Sequence, residues 1–172
     1  FNILNEQTRP PTGTFGLPGN VTIRYHHGLI APTDEAFNEF WNEYFVGPTK
    51  WNTLSATPKN IIRILVNTHM SPNPIYKTDL ETGFYNGEMD LIRVDPSDIL
   101  DKQYGSNSTF IGVSKTIVPR VFNSVAGPVY LLRGYSKTMY AIEEAGLLSA
   151  LKRENTNFLL YVESNANTAQ DS

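Results

Sequence analysis

Residues 28–45 read GLIAPTDEAFNEFWNEYF, and the fold turns on how this stretch is parsed. Just before it, NVTIRYHHGLI (20–30) alternates, which places Val21, Ile23, Tyr25, His27 and Leu29 on one face of a strand. Pro32 stops that strand. Thr33 is a helix-capping residue type, and Asp34 and Glu35 fall in the first turn, where the helix dipole favours negative charge. Phe37, Phe40, Trp41, Tyr44 and Phe45 then recur at the spacing of one apolar helix face. The stretch therefore predicts a strand, a sharp break and an amphipathic helix.

Outward from this point the punctuation is dense. Gly47-Pro48 ends the helix, and Thr57-Pro58 opens a second one, with Thr as cap and Pro at the first position. Its body, NIIRILVNTHM (60–70), is apolar nearly all round and predicts a helix deep in the core. FYNGEM (84–89) holds Asn86-Gly87, the strongest short signal for a tight hairpin, and MDLIRV (89–94) follows as a strand. PSDIL (96–100) predicts a turn or one helical turn. STFIGVSKTIVPRVF (108–122), GPVYLLRGY (127–135) and NFLLYVES (157–164) are β-branched and aromatic, and predict strands. SKTMYAIEEAGLLSALKREN (136–155) predicts a helix capped near Ser136 and broken at Gly146. RPPTGTFGLPG, within residues 1–19, predicts an extended arm, and NANTAQDS (165–172) a polar tail without fold signal.

Composition narrows the class. Of 172 residues 40% are hydrophobic and 18% charged, which predicts a chain that folds around a core. The net charge of -3, with no basic stripe, argues against a nucleic-acid partner. Cysteine is absent, so disulfides and thiolate metal sites are excluded. No apolar run approaches the ~20 residues of a membrane-spanning helix. The start at Phe1 fits a processed or trimmed product.

LIAPTDEAF (29–37) resembles the first signature of the fasciclin-like domain, an apolar strand followed by A-P-T-D/N-x-A-F. Further landmarks come in that family's order. IIRILVNTHM supplies its apolar helix and His69, with Thr68 where tyrosine is usual. SNSTFIGVSKTIVP (106–119) keeps the Asn, strand and proline of the second signature but lacks its Gly, His and Asp. YAIEEAGLLSALKRENTNFLLYVESNANTA (140–169) is similar to the head of another such domain, with Glu163 in place of a proline. The resemblance implies an α+β fold, a wedge of two small β-sheets packed against a group of helices. It implies a domain over 20–122 and, over 123–172, the start of a second repeat or an extension packed on the first. Pro32, Thr33, Asp34, Phe37 and His69 would then build the fold. The implied function is a non-catalytic extracellular interaction module for adhesion or assembly at a cell surface. In bacterial form it is secreted or is a lipoprotein anchored upstream of this chain. One such form is an accessory to an outer-membrane TonB-dependent system that takes up glycans or peptides. The expected partner is a surface protein or a polysaccharide.

Chemistry-bearing residues are sparse. His26 and His27 are adjacent on a strand and point to opposite faces, and no metal-ligand spacing of histidines occurs. No metal or cofactor is expected. A competing reading is a small hydrolase or metal-dependent enzyme using His69 or His26 with Asp34. Asp34/Glu35 and Glu143/Glu144 fit a helix start and a solvated helix face. Asp98-Ile99 lies near the place where animal fasciclin-like proteins carry an Asp-Ile motif linked to integrin binding. Trp51, Tyr76, Tyr85 and Tyr104 fall in or near expected loops, where aromatic side chains stack on sugars or anchor a protein interface; for each alone the commoner role is packing, so one or two at most are expected to serve as contacts.

Overall fold

The computed structural model describes residues 7–8, 22–23, 26–153 and 156–166. The fold is of the α+β class. Two short strands, β1 (Gln7–Thr8) and β2 (Thr22–Ile23), pair antiparallel. The rest of the expected N-terminal arm lies outside the described residues, as do Val21 and Tyr25. The described chain divides into two compact units, neither continuous in sequence. The first takes the residues up to Thr33 together with Asn67–Thr116, and the second takes Asp34–Val66 together with the residues from Ile117 onward.

The first unit is built on a four-stranded sheet. Strand β3 (His27–Pro32) ends where the proline predicts, and it runs parallel to β8 (Ser108–Val113). Antiparallel strands flank this pair: β4 (Met70–Ser71) beside β3, and β7 (Ile99–Tyr104) beside β8. β8 alternates strictly, with Thr109, Ile111 and Val113 buried. Register sets Gly28 against Thr109 and Ile30 against Ile111, so the deep face of β3 carries Gly28 and Ile30. Of the residues expected on the opposite face, His27 is buried and Leu29 is 39% exposed. Gly28 is required by crowding, because a β-carbon there would run into the Ile75 side chain, itself fully buried.

Asn86-Gly87 does lie between paired strands, but not as a two-residue turn. β5 (Phe84–Tyr85) pairs antiparallel with β6 (Leu91–Ile92) across the five residues Asn86–Asp90. Asn86, with 0% exposure, folds the loop around itself. Its Oδ1 accepts from the amides of Glu88 (3.0 Å) and Asp90 (2.9 Å), and its own amide donates to the Asp90 carbonyl (3.0 Å). PSDIL forms a 3-10 turn over Pro96–Asp98, within what the sequence predicts.

The second unit is a helical cluster. Helix α1 (Asp34–Phe45) buries Phe40 and Phe45 and lays Phe37, Trp41 and Tyr44 against the same core, as its spacing predicts. Trp41 stacks on Phe45 with centroids 4.3 Å apart, and Phe122 meets Phe45 edge-on at 5.6 Å. Helix α2 (Lys59–Thr68) contributes Ile61, Ile64 and Leu65, but Arg63 and Val66 are exposed. It is amphipathic, not buried all round. Thr57 does not act through its hydroxyl as an acceptor cap; that hydroxyl donates to the Thr53 carbonyl at 2.9 Å.

Three expected strands are corrected. Residues 127–135 are helical: α4 (Gly127–Leu131) and a 3-10 turn, Arg133–Tyr135, bury Val129 and Tyr130 side by side, which a strand would send to opposite faces. Residues 114–122 leave the ladder after Val113 and end in a 3-10 turn, Arg120–Asn123. Residues 157–164 join no ladder among the described residues. The break at Gly146 is as expected: α5 (Ser136–Glu144) closes with the Gly146 amide on the Glu143 carbonyl and the Leu147 amide on the Ile142 carbonyl. Gly146 stands at φ 65°, and α6 (Leu148–Leu151) follows.

Candidate functional site

The stretch 29–37 and His69 make the following local contacts. Pro32 pairs with Val113 at the end of the parallel ladder, and the Thr33 amide donates to the Val113 carbonyl at 3.1 Å. Asp34 is exposed in the first turn of α1, and Phe37 stacks with Trp41 at 5.9 Å. His69 is buried, and its carbonyl accepts from the Ile30 amide at 2.8 Å. His26 is exposed. Among the described residues no group of three His, Cys, Asp or Glu side chains could hold a metal ion.

The acids first assigned to surface or motif roles have defined partners. Glu143 is not simply solvated: it accepts from Asn60 Nδ2 at 3.0 Å and lies 3.6 Å from the Arg63 guanidinium. Asp98 is half-buried, with Lys115 Nζ 3.0 Å from its carboxylate, and its carbonyl accepts from the Ser114 amide. Ile99 is half-buried opposite Val113. Asp95 caps the 3-10 turn before it. Hydrogen bonds from the Ser97 hydroxyl and amide hold its carboxyl below the usual carboxylate range. In the helical unit, burial pushes the Tyr44 phenol up, and the neighbouring Glu43 carboxylate adds to this.

The four loop aromatics separate. Trp51 is buried, and its indole N–H donates to the Tyr130 carbonyl at 2.9 Å. It belongs to the helical core. Tyr85 is exposed on the short β5 strand. Tyr76 and Tyr104 are 51% and 58% exposed and come together, with ring planes 13° apart and centroids at 6.4 Å. Tyr104 closes β7. Tyr76 precedes α3 (Lys77–Thr82), where its amide donates to Asp79 Oδ2 at 2.7 Å. Two near-parallel phenols are thus held at the surface of the first unit, one on a strand end and one on a helix start.

Two features escape the sequence reading. A cavity of about 570 Å³ in the helical unit is walled by Arg120, Ser124, Lys152, Arg153, Asn157 and Phe158. Cationic, hydroxyl and amide walls suit an anionic or strongly hydrogen-bonding group. KREN at 152–155 is the one local hint, absorbed there into a helix end. Asn165, assigned to the tail without fold signal, works at a helix start instead. Its Oδ1 accepts from the Lys137 amide (3.2 Å), its Nδ2 donates to Ser136 Oγ (2.9 Å), and its own amide donates to the Gly134 carbonyl (2.8 Å).

No protein-family model matches the chain, and no curated protein matches it. No helix among the described residues is long and apolar enough to cross a membrane.

Proposed function

We propose that this chain is a non-catalytic interaction module of the fasciclin-like kind, acting in adhesion or assembly at a cell surface. The observation that carries the proposal is the exposed, near-parallel Tyr76–Tyr104 pair. Tyrosine rings offer large, rigid contact area at low entropic cost, with a hydroxyl for directional bonding. Held on two regular elements, the pair is preorganised for a sugar ring or an apolar side chain of a partner. The APTDEAF resemblance supports the family assignment, and the bacterial form of the family suggests a secreted or lipid-anchored protein serving a TonB-dependent uptake system.

The test is capture from solubilised membranes of the source cells, run beside binding to immobilised surface polysaccharides. Tyr76→Ala/Tyr104→Ala is compared with the unaltered protein. A partner whose binding falls about tenfold or more in the double variant fits an aromatic anchor. A partner that binds both proteins equally removes the pair from the site. Recovery of neither protein nor polysaccharide refutes the module reading.

A further inference from the structure

Among the described residues, no hydrogen bond involves the backbone of residues 157–162. The segment is nonetheless ordered by its side chains. Leu160 and Val162 pack against the helical core, and Asn165 ties its far end to the start of α5. On either side of Leu160, Leu159 and Tyr161 point away from the protein, 79% and 87% exposed, so exposure alternates from Leu159 to Val162. This is the period-two alternation of a strand. Its composition agrees: Asn157–Val162 reads NFLLYV, with β-branched and aromatic residues, no charge, no glycine and no proline. A strand-like segment with a bare backbone ladder and apolar side chains on both faces is a template for strand addition.

We infer that residues 157–162 are a docking strand for a second copy of this chain, paired antiparallel about a two-fold axis at Leu160. The two-fold requires that one residue oppose its own equivalent. Centred on Leu160, the register sets Phe158 opposite Val162 of the partner subunit and Leu159 opposite Tyr161 of the partner subunit. Leu160, which packs on the core, then faces its own equivalent, the exposed Leu159 and Tyr161 face each other, Phe158 (38% exposed) faces Val162, and every pair is apolar. The first charge to enter the register, Glu163, meets Asn157 of the partner subunit, so no like charges are opposed. The self-complementary, uncharged strip is what favours a second copy over a foreign strand. The outer strand β7 is a poorer template. Its Lys102 amide is already taken by Asp101 Oδ1 at 2.7 Å, its ladder is bulged between Ile99 and Asp101, and it carries both charges. A ribbon this short lies well below a standard interface, so the dimer is weak and depends on concentration.

Sedimentation equilibrium over a wide concentration range tests this on three proteins. They are the unaltered chain, Leu159→Lys/Tyr161→Lys, and Leu159→Glu/Tyr161→Glu. Both positions are exposed, so folding is preserved, and matching thermal melts verify it. The register sets position 159 against position 161 of the other copy. Each variant alone therefore opposes like charges and should dimerise at least about tenfold more weakly. An equimolar mixture of the two restores association by pairing Lys with Glu. An unaltered chain that stays monomeric at every concentration overturns the inference. So does self-association that ignores both variants, or a mixture that fails to recover.

Discussion

Replacing Asn86 with alanine tests the account of the β5–β6 loop most directly. The side chain is fully buried and its Oδ1 accepts two amides, those of Glu88 and Asp90. Alanine leaves both donors without that oxygen. The Asp90 residue is 5% exposed, so water reaches its amide poorly, and an unsatisfied buried donor costs about 1–3 kcal/mol. The Glu88 amide is only part-buried and recovers some hydration, which limits its loss to about 0.5–1 kcal/mol. The bond from Nδ2 to the Thr68 carbonyl, at 3.4 Å, is long and adds little. The expected destabilisation is about 1.5–4 kcal/mol, well beyond the ~0.5 kcal/mol of an ordinary surface change. Urea titration followed by circular dichroism measures it, with Asn107→Ala, at an exposed asparagine, as the control. If Asn86→Ala unfolds at the same urea concentration as Asn107→Ala, the loop is not organised by this side chain and the reasoning fails.

Gly28→Ala drives a methyl group into the Ile75 side chain and should cost about 1–3 kcal/mol, read in the same titration. Asn165→Ala removes an acceptor from the Lys137 amide; a loss of about 1 kcal/mol is expected, with faster hydrogen exchange confined to the first turn of α5. Asp95 has a depressed carboxyl in the folded state, so the folded protein holds the deprotonated form more tightly than the unfolded chain does. Its contribution is present above the unfolded value and disappears as pH falls through the folded one. Asp95→Asn should therefore flatten the acid limb of the stability profile and leave its alkaline limb unchanged.

The parts of the fold that were legible rest on local chemistry. Pro32 ends a strand, the aromatic spacing of 37–45 makes a helix face, and Gly146 supplies the positive φ that closes α5. Each is decided within one or two turns of chain. What misled was tertiary. GPVYLL has the β-branched and aromatic content of a strand, yet Ala126, Val129 and Tyr130 are all buried in one helical cluster, which overrides propensity. Alternation groups Leu29 with His27 on one face of β3, but only the ladder that sets Ile30 against Ile111 fixes which face is deep. The Tyr76–Tyr104 pair joins residues 28 positions apart, and no local pattern reports such a meeting. Trp51 looked like a loop aromatic because its partner, the Tyr130 carbonyl, lies 79 positions away.

The parallel pairing of β3 with β8 also sets a schedule. His27 meets Ser108, 81 positions later, and all the chain between them must be made first. At a synthesis rate of about 5–20 residues per second, β3 waits roughly 4–16 s for its partner strand. Its neighbour on the other side, β4, is available sooner but offers only two residues. During that interval the nascent chain carries an unpaired strand and an aromatic helix face side by side. The nascent chain is thus most exposed to misassociation between the making of β3 and the making of β8, and temperature or crowding during expression should act on yield more than on the finished fold.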